Sequence, residues 1–315
     1  MKLRKLGKTP IAITPVVLGG NVFGWTIGEP DSFAVLDAFV NAGFNAIDTA
    51  DVYSSWHPGN KGGESETIIG KWLKSRPGQR DKTIVMTKVG SDMGGEAQRG
   101  LSKRWISEAV DRSLGRLQTD YIDVYFAHWP DPDTPQEETL EAFGKLRDEG
   151  KIRVLGGSNL NANQLRSAQE VAHQRSVPFY EVLQPEYNLI ERANFEGELS
   201  SFCQAQSLGV VTYFSLASGF LTGKYRSAND LNQSQRGEDV AKYLNSSTRV
   251  LAALDNVASR HGASQTEVAL GWLLAKPAVT APIASATRPS HVQVFARAVE
   301  LGLTREDMAE LDSAA

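Results

Sequence analysis

The chain has 315 residues, of which 41% are hydrophobic and 22% are charged, and its formal net charge is −4. This length allows one α/β barrel or two smaller domains, and we favour a single domain spanning residues 1–315. The acidic balance provides no basic surface for nucleic acid, and no apolar run is long enough to cross a bilayer. The N-terminus lacks the apolar segment of a secretory signal, so we expect a cytoplasmic protein that acts on a small molecule.

Short apolar strands alternate with amphipathic helical segments along most of the chain. A Gly-Lys-Thr-Pro break predicts a β-hairpin over residues 2–13, which we expect to cap the bottom of the main fold. The strands predicted after it cover residues 16–18, 46–48, 84–88, 122–126, 154–158, 181–184, 210–214 and 280–283. The predicted helices cover residues 31–41, 64–74, 102–117, 136–148, 162–173, 195–207, 247–260, 265–275 and 290–299, with a last one from residue 305. A long polar loop is predicted at 215–245, and a connection of this length is usually functional or mobile.

Eight strands in this alternation predict a closed parallel (β/α)8 barrel, the TIM-barrel fold, with an N-terminal hairpin and extra helices near the C-terminus. Right-handed crossovers place every helix outside and bring all strand C-termini to one face. A doubly wound open sheet is the alternative. It is disfavoured because no G-x-G-x-x-G follows the first strand and no G-x-x-x-x-G-K-[ST] occurs anywhere.

Polar side chains follow the ends of three predicted strands, and these are Asp48, Tyr53, Lys88 and His128. Because strand C-termini of a parallel barrel meet on one face, we expect a carboxylate, a phenol, an amine and an imidazole in one pocket. A free tyrosine, with a pKa of about 10, is a weak acid near neutrality, and the Lys88 ammonium is expected to lower the pKa of Tyr53. This grouping indicates proton transfer. No metal is predicted, since neither H-E-x-x-H nor a Cys/His cluster occurs, and a site formed by His57 and His128 is the alternative.

Six short motifs lie at or just after the predicted strand ends. They are F-N-A-I-D-T-A-D-V-Y at 44–53, M-T-K at 86–88, H-W-P at 128–130, G-S-N at 157–159, Q-P-E-Y-N at 184–188 and L-T-G-K-Y at 221–225. Together they resemble the motifs of the aldo-keto reductases over nearly the whole chain. The resemblance implies an NAD(P)H-dependent oxidoreductase that reduces aldehyde or ketone carbonyls to alcohols by hydride transfer. It implies that Tyr53 is the proton donor, tuned by Asp48 and Lys88. His128 would orient the substrate oxygen.

The resemblance also implies a nicotinamide dinucleotide bound extended across the barrel mouth, with NADPH preferred and NADH as the alternative. The carboxamide would be held by Ser158, Asn159 and Gln184, and the nicotinamide ring would stack on Tyr213, for which a core position is the other interpretation. The loop over the pyrophosphate would contribute Leu216, Gly219, Gly223 and Lys224, because glycines let backbone N–H groups approach and lysine adds charge.

Arg288, after the eighth predicted strand, lies where the family binds the adenosine phosphate, and a guanidinium matches phosphate geometry bidentately. A solvated surface arginine is the alternative. The family's next element is Gln-Leu-x-Glu-Asn, whereas residues 291–295 read H-V-Q-V-F and lack two polar adenine partners. The expected preference for NADPH over NADH therefore depends on Arg288.

The loops above the pocket are expected to supply an aromatic substrate rim, namely Phe23, Trp25, Trp56, His57 and Trp129. Aromatic walls suit hydrophobic or ring-shaped carbonyl compounds, and sugars stack on them as well, so composition does not select the physiological substrate. The reaction direction and the oligomeric state are likewise left open.

Two other functions compete with a reductase. Relatives that serve as potassium-channel β subunits keep this fold and cofactor while regulating a partner, so the fold alone does not distinguish enzyme from regulatory subunit. A barrel isomerase or lyase that uses Lys88 as a Schiff-base amine is a third hypothesis. Borohydride would trap its intermediate, and NADPH would have no effect on it.

Overall fold

The computed structural model describes residues 1–315, and its centre is a closed barrel of eight parallel strands. An antiparallel hairpin of β1 (Arg4–Lys5) and β2 (Ala12–Ile13) precedes it. The barrel strands are β3 (Val17–Gly19), β4 (Ala46–Asp48), β5 (Ile84–Val89), β6 (Ile122–Ala127), β7 (Ile152–Ser158), β8 (Val182–Gln184), β9 (Gly209–Thr212) and β10 (Ala281–Ala284). Neighbours in the barrel are consecutive in the chain, and β10 closes the ring against β3. The predicted (β/α)8 barrel with its N-terminal hairpin is confirmed.

Twelve helices surround or extend this barrel. They are α1 (Glu29–Asn41), α2 (Glu64–Lys74), α3 (Lys103–Leu117), α4 (Gln136–Asp148), α5 (Ala162–Arg175), α6 (Glu198–Gln206), α7 (Gly237–Val240), α8 (Tyr243–Ser246), α9 (Thr248–His261), α10 (Gln265–Ala275), α11 (Pro289–Glu300) and α12 (Arg305–Ala314). Helices α7 to α10 all lie between β9 and β10, and α12 follows the last unit, so the extra helices are near the C-terminus. None of these helices is long and apolar enough to cross a membrane.

Side-chain caps mark several helix starts that the sequence pattern predicts. The Ser102 side chain accepts a hydrogen bond from the backbone of Trp105 at 3.3 Å. At the start of α5, Asn161 and Gln164 form a reciprocal capping box, with both bonds at 2.9 Å. Such caps satisfy backbone N–H groups that have no partner inside the helix, which explains why the predicted and observed starts agree closely.

The apolar core has two parts. The larger one lies between the barrel and its helices, and the smaller one fills the barrel interior. Leu6, Ile11 and Ile13 of the hairpin region belong to the interior cluster, together with barrel residues such as Val17 and Val211. The hairpin thus closes the N-terminal end of the barrel, as predicted, and leaves the C-terminal end for the loops that carry polar residues.

Segment 215–246 is more ordered than the long polar loop that the sequence predicts. It contains 3₁₀ turns at Ala217–Thr222 and Ala228–Gln233, followed by the short helices α7 and α8. Buried apolar anchors are spaced along it and tie it to the core, namely Phe220, Tyr225, Val240 and Tyr243. The segment is ordered because these few anchors and a local Ser227/Asp230 capping box offset the ordering entropy of the polar residues between them.

Candidate active site

A buried ion pair occupies the C-terminal end of the barrel. Asp48 ends β4 and Lys88 lies near the end of the adjacent β5, so parallel pairing places both side chains in the interior. Lys88 Nζ lies 2.8 and 2.7 Å from the two carboxylate oxygens of Asp48, and the side chain of Lys88 is fully buried. A further bond of 2.8 Å to the carbonyl oxygen of Thr49 fixes the ammonium in position.

The hydroxyl of Tyr53, on the loop that follows β4, is 2.8 Å from Lys88 Nζ and 3.4 Å from Asp48 Oδ2. Burial, followed by the Asp48 carboxylate, raises the pKa of Tyr53 well above its ordinary value. The net shift is therefore upward, opposite in direction to the lowering expected from the Lys88 ammonium, because burial and the Asp48 carboxylate dominate. Tyr53 keeps its proton across neutral pH and can give it to an oxygen that becomes more basic.

His128 follows β6 and lies beside Tyr53. Its ring lies 6.1 Å from the Tyr53 ring between centroids, and it stacks on Trp129 at 5.7 Å with an interplanar angle of 14°. Burial and the positive charge of Lys88 lower the pKa of His128 well below its ordinary value. The imidazole is therefore neutral near pH 7, with one nitrogen that can donate a hydrogen bond and one that can accept. Ser91 Oγ contacts its Nδ1 at 3.0 Å, a partner that the sequence analysis missed.

The residues predicted for the carboxamide form one hydrogen-bonded network. Gln184 Nε2 donates to Asp48 Oδ1 at 2.8 Å, and Ser158 Oγ donates to the Gln184 carbonyl oxygen at 2.8 Å. Asn159 Nδ2 donates to the carbonyl oxygen of His128 at 2.9 Å, and the Tyr213 hydroxyl donates to Asn159 Oδ1 at 2.7 Å. Tyr213 lies just past β9, which ends at Thr212 and not at residue 214 as predicted.

An aromatic rim surrounds Tyr53. The Trp25 and Trp56 rings meet edge to face at 5.5 Å, and Trp56 lies 6.0 Å from the Tyr53 ring. Trp129 is exposed beside His128, so it belongs to the same mouth. One expectation is wrong. Phe23 is completely buried in the outer core and is not part of the rim, whereas the rim position of the half-buried His57 stays a prediction.

Arg236, from the segment before α7, is a second residue that the sequence analysis missed. Its guanidinium carbon lies 4.8 Å from the Trp25 ring centroid and 5.7 Å from that of the exposed Phe214. Its only carboxylate partner is Asp239, at 3.4 Å. No local pattern identifies Arg236, since its aromatic contacts join distant parts of the chain. The result is a weakly paired cation that lies close to two aromatic rings at the mouth.

Positive charge also collects between segment 215–246 and α11. Lys224 and Arg288 are exposed and have no carboxylate partner. Burial is the largest cause of the lowered pKa of His291, and the charges of Arg288 and Lys224 lower it further. Both charges therefore lie near His291. Gly219 and Gly223, with φ of +96° and +76°, adopt conformations that favour glycine. The partly buried Leu216 precedes them. These residues suit an anionic ligand. Their individual contacts with the cofactor phosphates stay predictions.

A second carboxyl, that of Asp51, lies near the ion pair. Asp51 is almost fully buried, and neither of its carboxyl oxygens has a hydrogen-bond partner. Burial, followed by the nearby Glu66 carboxylate, raises the pKa of Asp51 well above its ordinary value. Glu66 itself is paired with Arg116 at 2.7 Å and with Thr87 at 2.6 Å. The geometry therefore provides one hydrogen-bonded ion pair at the site and, close to it, one carboxyl without a hydrogen-bond partner. No group of three or more His, Cys, Asp or Glu side chains is placed to hold a metal ion.

Comparison with known proteins agrees with this geometry. The model of the Aldo/keto reductase family matches residues 15–315. A probable voltage-gated potassium channel subunit beta of Oryza sativa subsp. japonica is 32% identical over 96% of this chain and 92% of that protein. Two Bacillus subtilis proteins are also 32% identical, the uncharacterized oxidoreductase YrpG over 99% of this chain and 95% of its own length, and the aldo-keto reductase YhdN over 94% and 86%. The chain therefore belongs to the aldo/keto reductase family and is an oxidoreductase.

Proposed function

We propose that this protein reduces aldehyde or ketone carbonyls with NADPH and that Tyr53 donates the proton to the carbonyl oxygen. The observation that carries the proposal is the contact between the Tyr53 hydroxyl and the buried Lys88 ammonium, with Asp48 behind it. A protonated phenol beside an enclosed cation is suited to protonating an oxygen on which negative charge develops.

The substrate carbonyl enters through the aromatic rim, and its oxygen accepts hydrogen bonds from Tyr53 and His128. NADPH, when bound, supplies the hydride. As charge develops on the oxygen, Tyr53 transfers its proton, and Lys88 stabilises the resulting phenolate through the 2.8 Å contact. Asp48 keeps the ammonium aligned and charged during this transfer. The rim tryptophans exclude water, which strengthens each of these interactions.

The cofactor fits the described residues. Lys224 and Arg288 have no carboxylate partner, so their charges are available for the phosphates of a dinucleotide. We assign the pyrophosphate to the Lys224 segment and to Arg236, and the 2′-phosphate to Arg288, which would give NADPH its advantage over NADH. The amides around Ser158 suit the neutral carboxamide.

The similarity to a potassium channel subunit beta supports one alternative, in which the protein binds the cofactor and regulates a partner. Turnover distinguishes the two. The reductase hypothesis requires NADPH oxidation that depends on an added carbonyl compound, whereas the regulatory hypothesis requires only cofactor binding.

The test is a panel of aromatic aldehydes, short aldehydes, keto-sugars and cyclic ketones, with NADPH oxidation followed by absorbance. We expect several of them, aromatic aldehydes included, to be reduced by the wild-type protein and not by Tyr53→Phe. If the protein binds NADPH tightly and reduces no member of the panel, the regulatory alternative gains. Covalent trapping of Lys88 by borohydride would instead support the lyase hypothesis.

A further inference from the structure

A hydroxyl outside the proposed catalytic set contacts the imidazole within it. Ser91 Oγ lies 3.0 Å from His128 Nδ1. The backbone places it there, because the His128 N–H donates to the Val89 carbonyl oxygen at 2.8 Å, and Ser91 follows two residues later. Gly90 makes the turn between them with φ of +119°, a conformation that side chains rarely adopt. The contact is therefore built by two adjacent strands.

The His128 ring is held in place on its other sides. Trp129 stacks on one face of it, and Tyr53 lies edge-on beside it. Nδ1 has Ser91 as its partner, whereas Nε2 has no protein partner. Since the imidazole is neutral, it carries one N–H, and the position of that proton decides whether Nε2 donates or accepts.

We propose that the Ser91 hydroxyl donates to His128 Nδ1 and holds His128 as the Nε2–H tautomer, which makes Ser91 a positioning residue for the carbonyl substrate. This inference rests on the proposed function. In that tautomer Nε2–H donates to the carbonyl oxygen alongside Tyr53. With the opposite tautomer, Nε2 would present a lone pair to the lone pairs of the oxygen, and the hydrogen bond could not form.

Nitrogen-15 NMR of the labelled histidines, without any substrate, measures the tautomer directly. The chain has five histidines, and the spectrum of His128→Gln identifies the signals of His128. We expect an unprotonated, pyridine-type Nδ1 and a protonated Nε2 in the wild type. Ser91→Ala should give a mixture of tautomers, and Ser91→Thr should restore the wild-type spectrum. A protonated Nδ1 in the wild type overturns the proposal whatever the activity is.

Kinetics separates this role from a structural one. In Ser91→Ala we expect kcat/KM for carbonyl reduction to fall roughly 3- to 10-fold, the usual effect of one neutral hydrogen bond, with the Kd of NADPH unchanged. Ser91→Thr should recover it, and Ser201→Ala, on the exposed side of α6, is the matched control. In a His128→Gln background Ser91→Ala should have no further effect.

Two kinetic results overturn the proposal. One is a wild-type kcat/KM in Ser91→Ala, and the other is an undiminished loss in the His128→Gln background, which would mean that Ser91 acts on the loop and not through the imidazole. Absence of reduction for every carbonyl compound would overturn the reductase function itself. The NMR measurement would still decide the tautomer in that case.

Discussion

Tyr53 has the only side-chain hydroxyl bonded to the buried Lys88 ammonium. We expect Tyr53→Phe to lower kcat by about 10²–10⁴-fold, the range for removal of a general acid, because no other protein proton donor contacts Lys88. NADPH binding, measured by fluorescence titration, should stay within a few-fold. Tyr125→Phe is the control, since the Tyr125 hydroxyl is buried without a partner. If Tyr53→Phe kept most of the wild-type rate, the proton-donor assignment would be wrong.

The raised pKa of Tyr53 gives the two reaction directions different pH dependences. Reduction uses the protonated phenol, so kcat/KM for the carbonyl should stay level through neutral pH and fall only when Tyr53 ionises, above about pH 10. Alcohol oxidation uses the phenolate, so its rate should still rise at that pH. Initial rates in both directions between about pH 6 and pH 10.5 measure this. A fall in reduction centred near neutrality would show that the pKa of Tyr53 is lowered and not raised.

Arg288 is the exposed cation at the start of α11 and has no ion-pair partner. Arg288→Ala should raise the Kd of NADPH by roughly ten-fold or more, equivalent to about 1.5–3 kcal/mol for a charge-assisted bond, and leave that of NADH nearly unchanged. Arg305→Ala, at the start of α12 and also exposed, should affect neither cofactor. Equal losses for NADPH and NADH would show that Arg288 does not discriminate between them.

Segment 215–246 combines buried anchors with exposed polar stretches. Its first part carries Gly219, Gly223 and Lys224, and Arg236 lies over the rim further along. A bound pyrophosphate would draw these groups together, so we expect hydrogen exchange in residues 216–225 to slow markedly on addition of NADP, with smaller changes in the barrel strands. Hydrogen exchange with mass spectrometry measures this, and unchanged exchange at saturation would contradict it.

The same segment is expected to control the rate of turnover. If it must open before the product cofactor leaves, that opening limits kcat on good aldehydes. Deuterated NADPH should then give little isotope effect on kcat, and Arg236→Ala should raise kcat while weakening cofactor binding. A full primary isotope effect on kcat in the wild type would place hydride transfer at the slow step.

In the whole molecule, the hairpin closes one end of the barrel and the candidate site lies at the other end. Leu6 is completely buried under the barrel, whereas Leu3 in the same hairpin region is 52% exposed. Leu6→Ala should lower the free energy of unfolding by about 2–5 kcal/mol because it leaves a cavity between the hairpin and the barrel interior. Leu3→Ala should have little effect on it. Both variants should keep the wild-type kcat/KM at 25 °C, since the site lies at the opposite end of the barrel.

Urea denaturation followed by circular dichroism measures the two stabilities under identical conditions. Equal stabilities of the two variants would mean that the hairpin does not contribute to the barrel core. A large loss of kcat/KM in folded Leu6→Ala would show that the hairpin also affects the candidate site at the other end of the barrel, contrary to the separation of the two ends.

The sequence by itself determined the barrel and the common location of the proposed catalytic residues. Strand and helix periodicity is a local property, and the rule that parallel strands end on one face converts it into a common location for Asp48, Lys88 and His128. Helix limits were predicted closely where a cap such as Ser102 marks them, because a cap is a local interaction.

Only the tertiary structure decided the environment of these groups. The pKa of Tyr53 depends on its burial and on the nearby Asp48 carboxylate, and neither can be read from local spacing. The core position of Phe23, the aromatic contacts of Arg236 and the order of segment 215–246 depend likewise on partners far along the chain. Burial and long-range pairing are properties of the whole packed molecule, whereas periodicity and capping belong to neighbouring residues.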